Sequence, residues 1–212
     1  MTAARTLPES PIKLYGLALS GHAHRVEWFL SLLHLPFEYI DVDITVGAQK
    51  TAEFLQLNPF GQIPVIQDGA VTLADSNAIL IYLAKKYGGE KWLPADPLRA
   101  AMLQRWLSVA AGMLAFGPAR ARRIAIFKLN TNPAEALALA DKLFGVMNAE
   151  LQHSPFLIGT ELSLAEIANY AYTALAFEGG ISLEPFPYVR AWLQRVESLP
   201  DFIPLKKSVL GN

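Results

Sequence analysis

A change in hydrophobic pattern part-way along the chain constrains the fold most. Residues 12–87 mix short β-like runs with amphipathic helical runs, whereas no convincing strand follows residue 98. Between them, Gly88–Pro97 carries two glycines and two prolines, which is typical of a linker. The sequence therefore predicts an α/β region of order β-α-β-α-β-β-α, a linker, and an all-α helical bundle.

The individual elements follow from periodicity and from turn residues. Asp68-Gly69 is a strong hairpin signal, a break is expected at Gly117-Pro118, and Ser163 with Glu166 fits a capping box. The predicted strands are Ile12–Leu17, Phe37–Asp43, Ile63–Gln67 and Ala70–Leu73, and the predicted helices of the first region are His24–Leu33, Ala48–Leu57 and Ser76–Tyr87. The helical runs of the second region are Leu98–Phe127, Pro133–Gln152 and two stripes within residues 164–175 and 189–196.

Composition excludes several classes of function. The 18 basic and 19 acidic residues give a net charge of −1, which argues against nucleic-acid binding. The lack of cysteine excludes disulfides, thiolate metal sites and cysteine nucleophiles. The four histidines lack metal-site spacing and are interpreted as loop or surface residues, so no metal is expected. No apolar run is long enough to cross a membrane, and the first residues lack a signal-peptide core, so a cytoplasmic protein is expected.

Three short segments could carry chemistry. Leu19–His22 places small polar residues between a strand and a helix, where exposed amides favour an anion. Pro64 opens a predicted strand, and a cis bond there would turn the Ile63 backbone toward a ligand's peptide backbone. Asp75-Ser76 begins a helix, where the pair could cap the helix or bind a carboxylate and an ammonium group. Each segment alone is also compatible with a purely structural role.

The run NPFGQIPVIQDG, followed by LADSNAILIYLAKKYG, strongly resembles the glutathione transferases, and the resemblance extends over nearly the whole chain. It implies a thioredoxin-like α/β domain at residues 11–88, a linker at 89–98 and an all-α domain at 99–212. It also implies an enzyme of detoxification that uses glutathione as co-substrate, without a metal, and that forms a homodimer. The serine-type, cytosolic branch of the family is the one expected.

The resemblance also implies roles for individual residues. Ser20 corresponds to the hydroxyl that activates the thiol of glutathione. Residues implied to bind the tripeptide are Lys50 and Gln62 at its glycine end, Ile63 before the cis-proline Pro64 at its cysteinyl backbone, and Asp75 with Ser76 at its γ-glutamyl end. Tyr15 in the first strand is the rival activator, and Ser20 is preferred because a helix start favours an anion.

The second substrate is expected to be a small hydrophobic electrophile held by the α domain. Trp106, Met113 and Phe116 are candidates for that site, although each could instead belong to the bundle core. Phe60, beside the site loop, could dock into a second copy of the chain or pack locally. The alternative function is a non-catalytic module of the same fold that binds a ligand or a partner protein. A membrane-channel or nucleic-acid role is poorly supported.

Overall fold

A computed structural model describes residues 7–208, which form two compact units that divide between Ala95 and Asp96. The elements of unit 1 follow the predicted order β-α-β-α-β-β-α. They are β1 (Ile12–Gly16), α1 (Gly21–Leu32), β2 (Phe37–Asp41), α2 (Ala52–Leu57), β3 (Val65–Asp68), β4 (Val71–Ala74) and α3 (Ser76–Leu83), with a 3-10 turn at Ala48–Lys50 and a π-helical turn at Ala84–Gly88. The thioredoxin-like fold class predicted for this region is confirmed.

The four strands form one mixed sheet in the order β2-β1-β3-β4. The β1–β2 pair is parallel, as a helical crossover requires, and the β1–β3 and β3–β4 pairs are antiparallel. Alternate residues of β1 point to opposite faces. Ile12 and Leu14 are fully buried, whereas Tyr15 lies on the other face, against the cluster of Val42, Phe54 and Val65. This second face carries α2, since Phe54 belongs to that helix.

One helix prediction in unit 1 is wrong in detail. Ala48–Leu57 is not one helix, because Thr51 adopts an extended conformation between the 3-10 turn and α2. The Thr51 hydroxyl accepts a hydrogen bond from the Phe54 amide at 3.3 Å and so restarts the helix as an N-cap. The histidine interpretation also fails for two residues, since His22 and His24 lie in α1, where His24 is buried and His22 half-buried.

A buried carboxylate joins the β3–β4 hairpin to α3 and the turn after it. Asp68 Oδ2 accepts hydrogen bonds from Tyr82 and Tyr87 at 2.7 Å each and from Lys86 at 2.8 Å. Although burial acts to raise the pKa of Asp68, these hydrogen bonds hold the pKa below its usual value. The network therefore stabilises the carboxylate form and fixes the hairpin against the helix.

Unit 2 is helical, as predicted. Its helices are α4 (Pro97–Val109), α5 (Pro118–Ile126), α6 (Ala134–Leu151), α7 (Leu164–Ala174) and α8 (Pro187–Glu197), with a π-helical turn at Ala110–Leu114 and a 3-10 turn at Ala176–Gly179. The expected break at Gly117-Pro118 is confirmed. A side chain at Gly117 would meet the Met113 carbonyl at 2.7 Å, so this close approach requires glycine. Within residues 7–208, no helix is long and apolar enough to cross a membrane.

The capping box at the start of α7 is confirmed and extends further than predicted. The Glu166 carboxylate is fully buried and accepts hydrogen bonds from the Leu157 amide, the Ser163 amide and the Ser163 hydroxyl at 2.6–2.9 Å. Burial raises the pKa of Glu166, while the hydrogen bonds from Ser163 and Leu157 oppose that shift. The side chain thus joins the helix start to the preceding loop.

Candidate active site

The sheet register brings three of the predicted site segments to one edge of unit 1. Tyr15 pairs with Val65, and Val65 pairs with Ala74. The chain therefore leaves β1 toward Ser20, enters β3 from Ile63-Pro64 and leaves β4 into Asp75-Ser76 at this same edge. A direct contact supports the convergence, because His22 Nδ1 lies 3.4 Å from Ser76 Oγ.

Ser20 is the N-cap of α1. Its Oγ accepts a hydrogen bond from the Ala23 amide at 3.3 Å, and within residues 7–208 the Ser20 hydroxyl makes no other hydrogen bond. A hydroxyl that accepts one bond still has its proton to donate. The first turn of α1 contains no acidic side chain, so the partial positive charge of the helix start is not offset locally. An anion placed here would meet both a donor and a favourable helix dipole.

The loop between α2 and β3 is fixed by Asn58. This buried side chain donates from Nδ2 to the Gln62 carbonyl at 2.8 Å and accepts from the Phe60 amide at 3.1 Å. The peptide bond between Ile63 and Pro64 is cis, so the conformation anticipated for it from the sequence is confirmed. Gln62 is exposed and Ile63 half-buried, which leaves both residues accessible before the strand begins.

Lys50 lies against the same loop, as its predicted role with Gln62 requires. Its Nζ donates to the Phe60 carbonyl at 3.3 Å. Gly61 has φ +58°, and a side chain there would stand 2.8 Å from Lys50 Nζ. Glycine at position 61 therefore allows a close approach between the loop and the segment of Gln49 and Lys50, and Lys50 lies beside the loop that also carries Gln62.

The turn into α3 holds Asp75 and Ser76. Asp75 adopts φ +69°, an uncommon conformation for a residue with a side chain. Its Oδ1 caps α3 by accepting from the Asn77 and Ala78 amides at 2.9 and 3.0 Å. The exposed carboxylate keeps its second oxygen for another partner. Ser76 is buried, with its hydroxyl in contact with side chains of α1.

Two residues of α1 at this position were missed by the sequence analysis. Arg25 Nη1 donates to Ser76 Oγ at 3.1 Å and to Asn77 Oδ1 at 2.8 Å. Burial, and secondarily the charge of Arg25, lowers the pKa of His22 to about 3, so the imidazole is neutral at ordinary pH. These contacts join residues more than fifty positions apart, so no local sequence pattern predicts them.

Tyr15, the rival activator, has a partner within the sheet. Its hydroxyl donates to Gln67 Oε1 at 2.8 Å. The ring packs on the face that carries Phe54, with Val42 and Val65. Because its one proton is engaged in this bond, Tyr15 would have to break an existing contact before donating to a ligand. This geometry favours Ser20 as the residue with a proton to donate.

The three residues predicted for the electrophile differ in their surroundings within unit 2. Trp106 is 1% exposed and donates from its indole nitrogen to the Leu157 carbonyl, so its side chain belongs to the core. Met113 is half-buried. Phe116 is 60% exposed and lies on an open groove of about 520 Å³. The other groove residues include Arg120, Leu139 and Lys142. Accessibility thus favours Phe116 and Met113 over Trp106.

No grouping of three or more His, Cys, Asp or Glu side chains in the described part of the chain is placed to hold a metal ion. The chemistry available at the sheet edge therefore consists of hydroxyl donors, a helix dipole, an amide, a lysine and a carboxylate. Such a set suits a zwitterionic peptide that carries an anionic centre.

Comparison with known proteins identifies the family. The family sequence model for the glutathione S-transferase N-terminal domain matches residues 10–85. The family sequence model for the glutathione S-transferase C-terminal domain matches residues 106–200. Glutathione S-transferase 3 of Zea mays is 36% identical, with 91% of this chain and 92% of that protein covered.

Solved structures agree. A glutathione S-transferase from Pseudomonas fluorescens is 36% identical, with a TM-score of 0.86 over 93% of this chain and 100% of that one. A glutathione transferase homologue from Drosophila mojavensis, solved with bound glutathione, is 25% identical, with a TM-score of 0.82 over 90% of this chain and 89% of that one. Both domain matches and the relatives that span nearly the full length lead to one conclusion: the chain belongs to the glutathione S-transferase family.

Proposed function

We propose that the chain is a serine-type glutathione transferase, in which Ser20 holds the thiol of glutathione as a thiolate for attack on a small hydrophobic electrophile. Membership of the family supports transferase activity with glutathione as co-substrate. One observation supports the mechanism: at the start of α1, the Ser20 hydroxyl donates its proton to no group within residues 7–208. The serine-type assignment rests on that same hydroxyl.

The Ser20 hydroxyl and the start of α1 can together supply the free energy needed to ionise the bound thiol. A free thiol has a pKa of ~8.5, so little of it is ionised at neutral pH. Lowering that pKa by about two units needs ~2.7 kcal/mol of preferential stabilisation of the thiolate. One hydrogen bond to a charged acceptor contributes about 1.5–3 kcal/mol, and a helix start adds up to about 1 kcal/mol. Ser20 would donate this hydrogen bond and would not itself attack.

The remaining site residues would orient the tripeptide. Lys50 and Gln62 lie at one end and suit the glycine carboxylate, while Asp75 and Ser76 suit the ammonium and carboxylate of the γ-glutamyl end. The Ile63 backbone, next to Pro64, would pair with the cysteinyl backbone. The thiol proton leaves to solvent and the sulfur forms a bond to the electrophilic carbon. In a substitution a leaving group departs with the electron pair of its bond to carbon, and in an addition a π bond of the substrate opens and the resulting anion takes a proton from solvent.

The electrophile would bind apolar side chains of unit 2. Phe116 and Met113 are the candidates that remain accessible, whereas burial of Trp106 argues against direct contact by that side chain. A detoxification role and a cytoplasmic location, both expected from the resemblance and composition, stay predictions. So does the homodimer, for which the 79% exposure of the Phe60 side chain is compatible with docking into a second copy. A stable monomer at micromolar concentration by sedimentation would count against it.

The deciding experiment is a titration of bound glutathione. Ultraviolet difference absorbance of the thiolate, followed against pH on the wild-type protein, should give a thiol pKa near 6.5, about two units below the free value. A crystal soaked with glutathione should place its sulfur within hydrogen-bonding distance of Ser20 Oγ, at most about 3.5 Å away.

Two controls sharpen this result. Ser20→Ala should return the bound thiol to a pKa above 8 while glutathione is still retained, because the binding residues at both ends stay in place. S-methylglutathione, which has no ionisable thiol, should show no pH-dependent absorbance. A wild-type thiol pKa equal to that of free glutathione would contradict the mechanism without contradicting the fold.

A further inference from the structure

A buried arginine lies behind the proposed γ-glutamyl end of the site. Arg25, in α1, is 1% exposed, and its Nη1 donates to both Ser76 Oγ and Asn77 Oδ1. Both acceptors lie in the first turn of α3. A charge removed from water is costly unless it is hydrogen-bonded. Here its contacts with α3 bring a positive charge to the turn that is proposed to bind a carboxylate.

The direction of the Arg25–Ser76 hydrogen bond determines what Ser76 can do. A guanidinium can only donate, so in this bond Ser76 must be the acceptor. Its single proton is then left to point elsewhere. A hydroxyl that accepts from a cation is also polarised into a stronger donor. Arg25 therefore sets the hydroxyl of Ser76 as a donor toward any acceptor beside it.

One acceptor stands beside Ser76 within the protein itself. His22 Nδ1 is 3.4 Å from Ser76 Oγ, and the neutral imidazole can accept there in one of its two tautomers. An anionic oxygen is a stronger acceptor than a neutral imidazole nitrogen. A carboxylate that reaches Ser76 could therefore take the proton in place of His22, while the bond from Arg25 stays as it is.

We infer that Arg25 is a positioning residue which orients the Ser76 hydroxyl and adds positive charge at the start of α3, so that the site selects a ligand with a free α-carboxylate on its γ-glutamyl residue. Arg25 acts through Ser76 and Asn77 and does not itself touch the ligand. The inference rests on the proposed function, because it assumes that glutathione is bound with its γ-glutamyl end at Ser76.

The test compares two ligands on wild type and on Arg25→Lys. Lysine keeps the charge but cannot present the planar fork of donors. The ligands are glutathione and the analogue in which a γ-aminobutyryl group replaces γ-glutamyl, so that only the α-carboxylate is missing. In Arg25→Lys the Kd for glutathione should rise about tenfold and the Kd for the analogue less than about twofold. The KM for glutathione should follow its Kd, and kcat should change little.

Arg122→Lys is the matched control. Arg122 is also a buried arginine, but it lies in unit 2, where its Nε pairs with the Glu178 carboxylate. Lysine keeps the charge but cannot reproduce the Nε hydrogen bond to Glu178, so the thermal midpoint should fall while the ratio of the two dissociation constants stays at its wild-type value. A general effect of replacing a buried arginine is thereby separated from an effect on the carboxylate.

The outcomes separate the two proposals. The quantity to compare is the Kd of the analogue divided by the Kd of glutathione. If the wild-type protein binds glutathione and this ratio is the same in Arg25→Lys, the inference is overturned and the proposed function stands. A wild-type protein that binds no glutathione overturns the proposed function itself. If Arg25→Lys does not fold, Asn77→Ala is the substitute variant, because it removes the second acceptor of Arg25. In Asn77→Ala the ratio of the analogue Kd to the glutathione Kd should fall about threefold. An unchanged ratio in folded Asn77→Ala would also overturn the inference.

Discussion

The starts of α1 and α7 are built from the same residue type but differ in what the serine hydroxyl does. Ser163 Oγ accepts from the Ala165 amide at 3.1 Å and donates to Glu166 at 2.7 Å, so its proton is used inside the protein. Ser20 Oγ accepts from the Ala23 amide and, among residues 7–208, donates to nothing. An N-cap whose proton is used internally stabilises the fold, whereas one with a free proton can also serve a ligand.

The two helix starts also differ in charge. The first turn of α7 contains Glu166, whose carboxylate offsets the positive end of the helix. The first turn of α1 has no acidic residue. The same contrast therefore appears in hydrogen bonding and in electrostatics, and it predicts opposite consequences for mutations at the two positions.

The largest expected effect is on stability, at Glu166. Glu166→Ala removes the acceptor of the buried Leu157 amide and of the half-buried Ser163 amide and hydroxyl. The free energy of unfolding should fall by about 3–5 kcal/mol, because buried donors left unpaired cost about 1–3 kcal/mol each. Urea unfolding measures this loss. Conjugation rate per folded molecule should stay unchanged, and a rate that fell in step with stability would break the distinction between the two helix starts.

Ser20→Ala should show the reverse profile. The conjugation rate at pH 7 should fall about 10- to 25-fold, because a rise of the thiol pKa from about 6.5 to about 8–8.5 lowers the ionised fraction by roughly that factor, and the pH–rate profile should move to higher pH. Unfolding free energy should fall by only about 1 kcal/mol, the usual cost of losing an N-cap. Ser163→Ala is the matched control, with a comparable or larger loss of stability and an unaltered rate. Equal rate losses in both variants would contradict the comparison.

Asp68 provides a second internally satisfied network, this time in unit 1. Asp68→Asn should lower the free energy of unfolding near pH 7 by about 1–2 kcal/mol, because a charged acceptor of three donors is replaced by a neutral one. The hydrogen bonds depress the pKa of Asp68 in the folded state. Its contribution is therefore present above the unfolded value of 3.8 and lost as the pH falls through the folded value.

Urea unfolding of wild type and Asp68→Asn across this acid range should show the two curves converging as the pH falls. The conjugation rate near pH 7 should be the same for both proteins, since the carboxylate is used within the fold. A gap in stability that stays constant with pH would mean that Asp68 is not ionised in the folded protein.

The smallest expected effect is that of Tyr15→Phe. The variant loses the hydrogen bond to Gln67, so unfolding free energy should fall by about 1 kcal/mol. The conjugation rate should change by less than about twofold, because the Tyr15 proton is already engaged within the sheet. Initial rates at saturating glutathione check this. A loss as large as that expected for Ser20→Ala would instead make Tyr15 the thiol activator.

Local signals in the sequence account for most of the fold. The Asp68-Gly69 turn, the Gly117-Pro118 break and the capping box at Ser163 are each contained in a few consecutive residues, and all three are present. The helix expected over Ala48–Leu57 failed for an equally local reason, the capping hydroxyl of Thr51. Propensity and periodicity do not weigh such a cap against continuation of a helix.

The residues of the candidate site differ in how readily the sequence reveals them. Ser20, Pro64 and Asp75 stand at element boundaries, which turn and cap chemistry makes visible in a sequence. Arg25 could not be recognised, because a lone arginine in a helix is usually exposed and only the packing of α1 on α3 buries it. Trp106 has the opposite problem, since an aromatic residue in an amphipathic helix suits a substrate site and a core equally well.

Asn58 has a consequence for the thermodynamics of ligand recognition. One amide side chain already fixes the backbone that carries Gln62 and leads into Ile63. The conformational entropy of that loop is lost when the chain folds, and it need not be lost again when a tripeptide arrives. Less of the binding free energy should therefore be spent on ordering this loop. The affinity for the tripeptide then depends in part on Asn58, a side chain buried inside the protein.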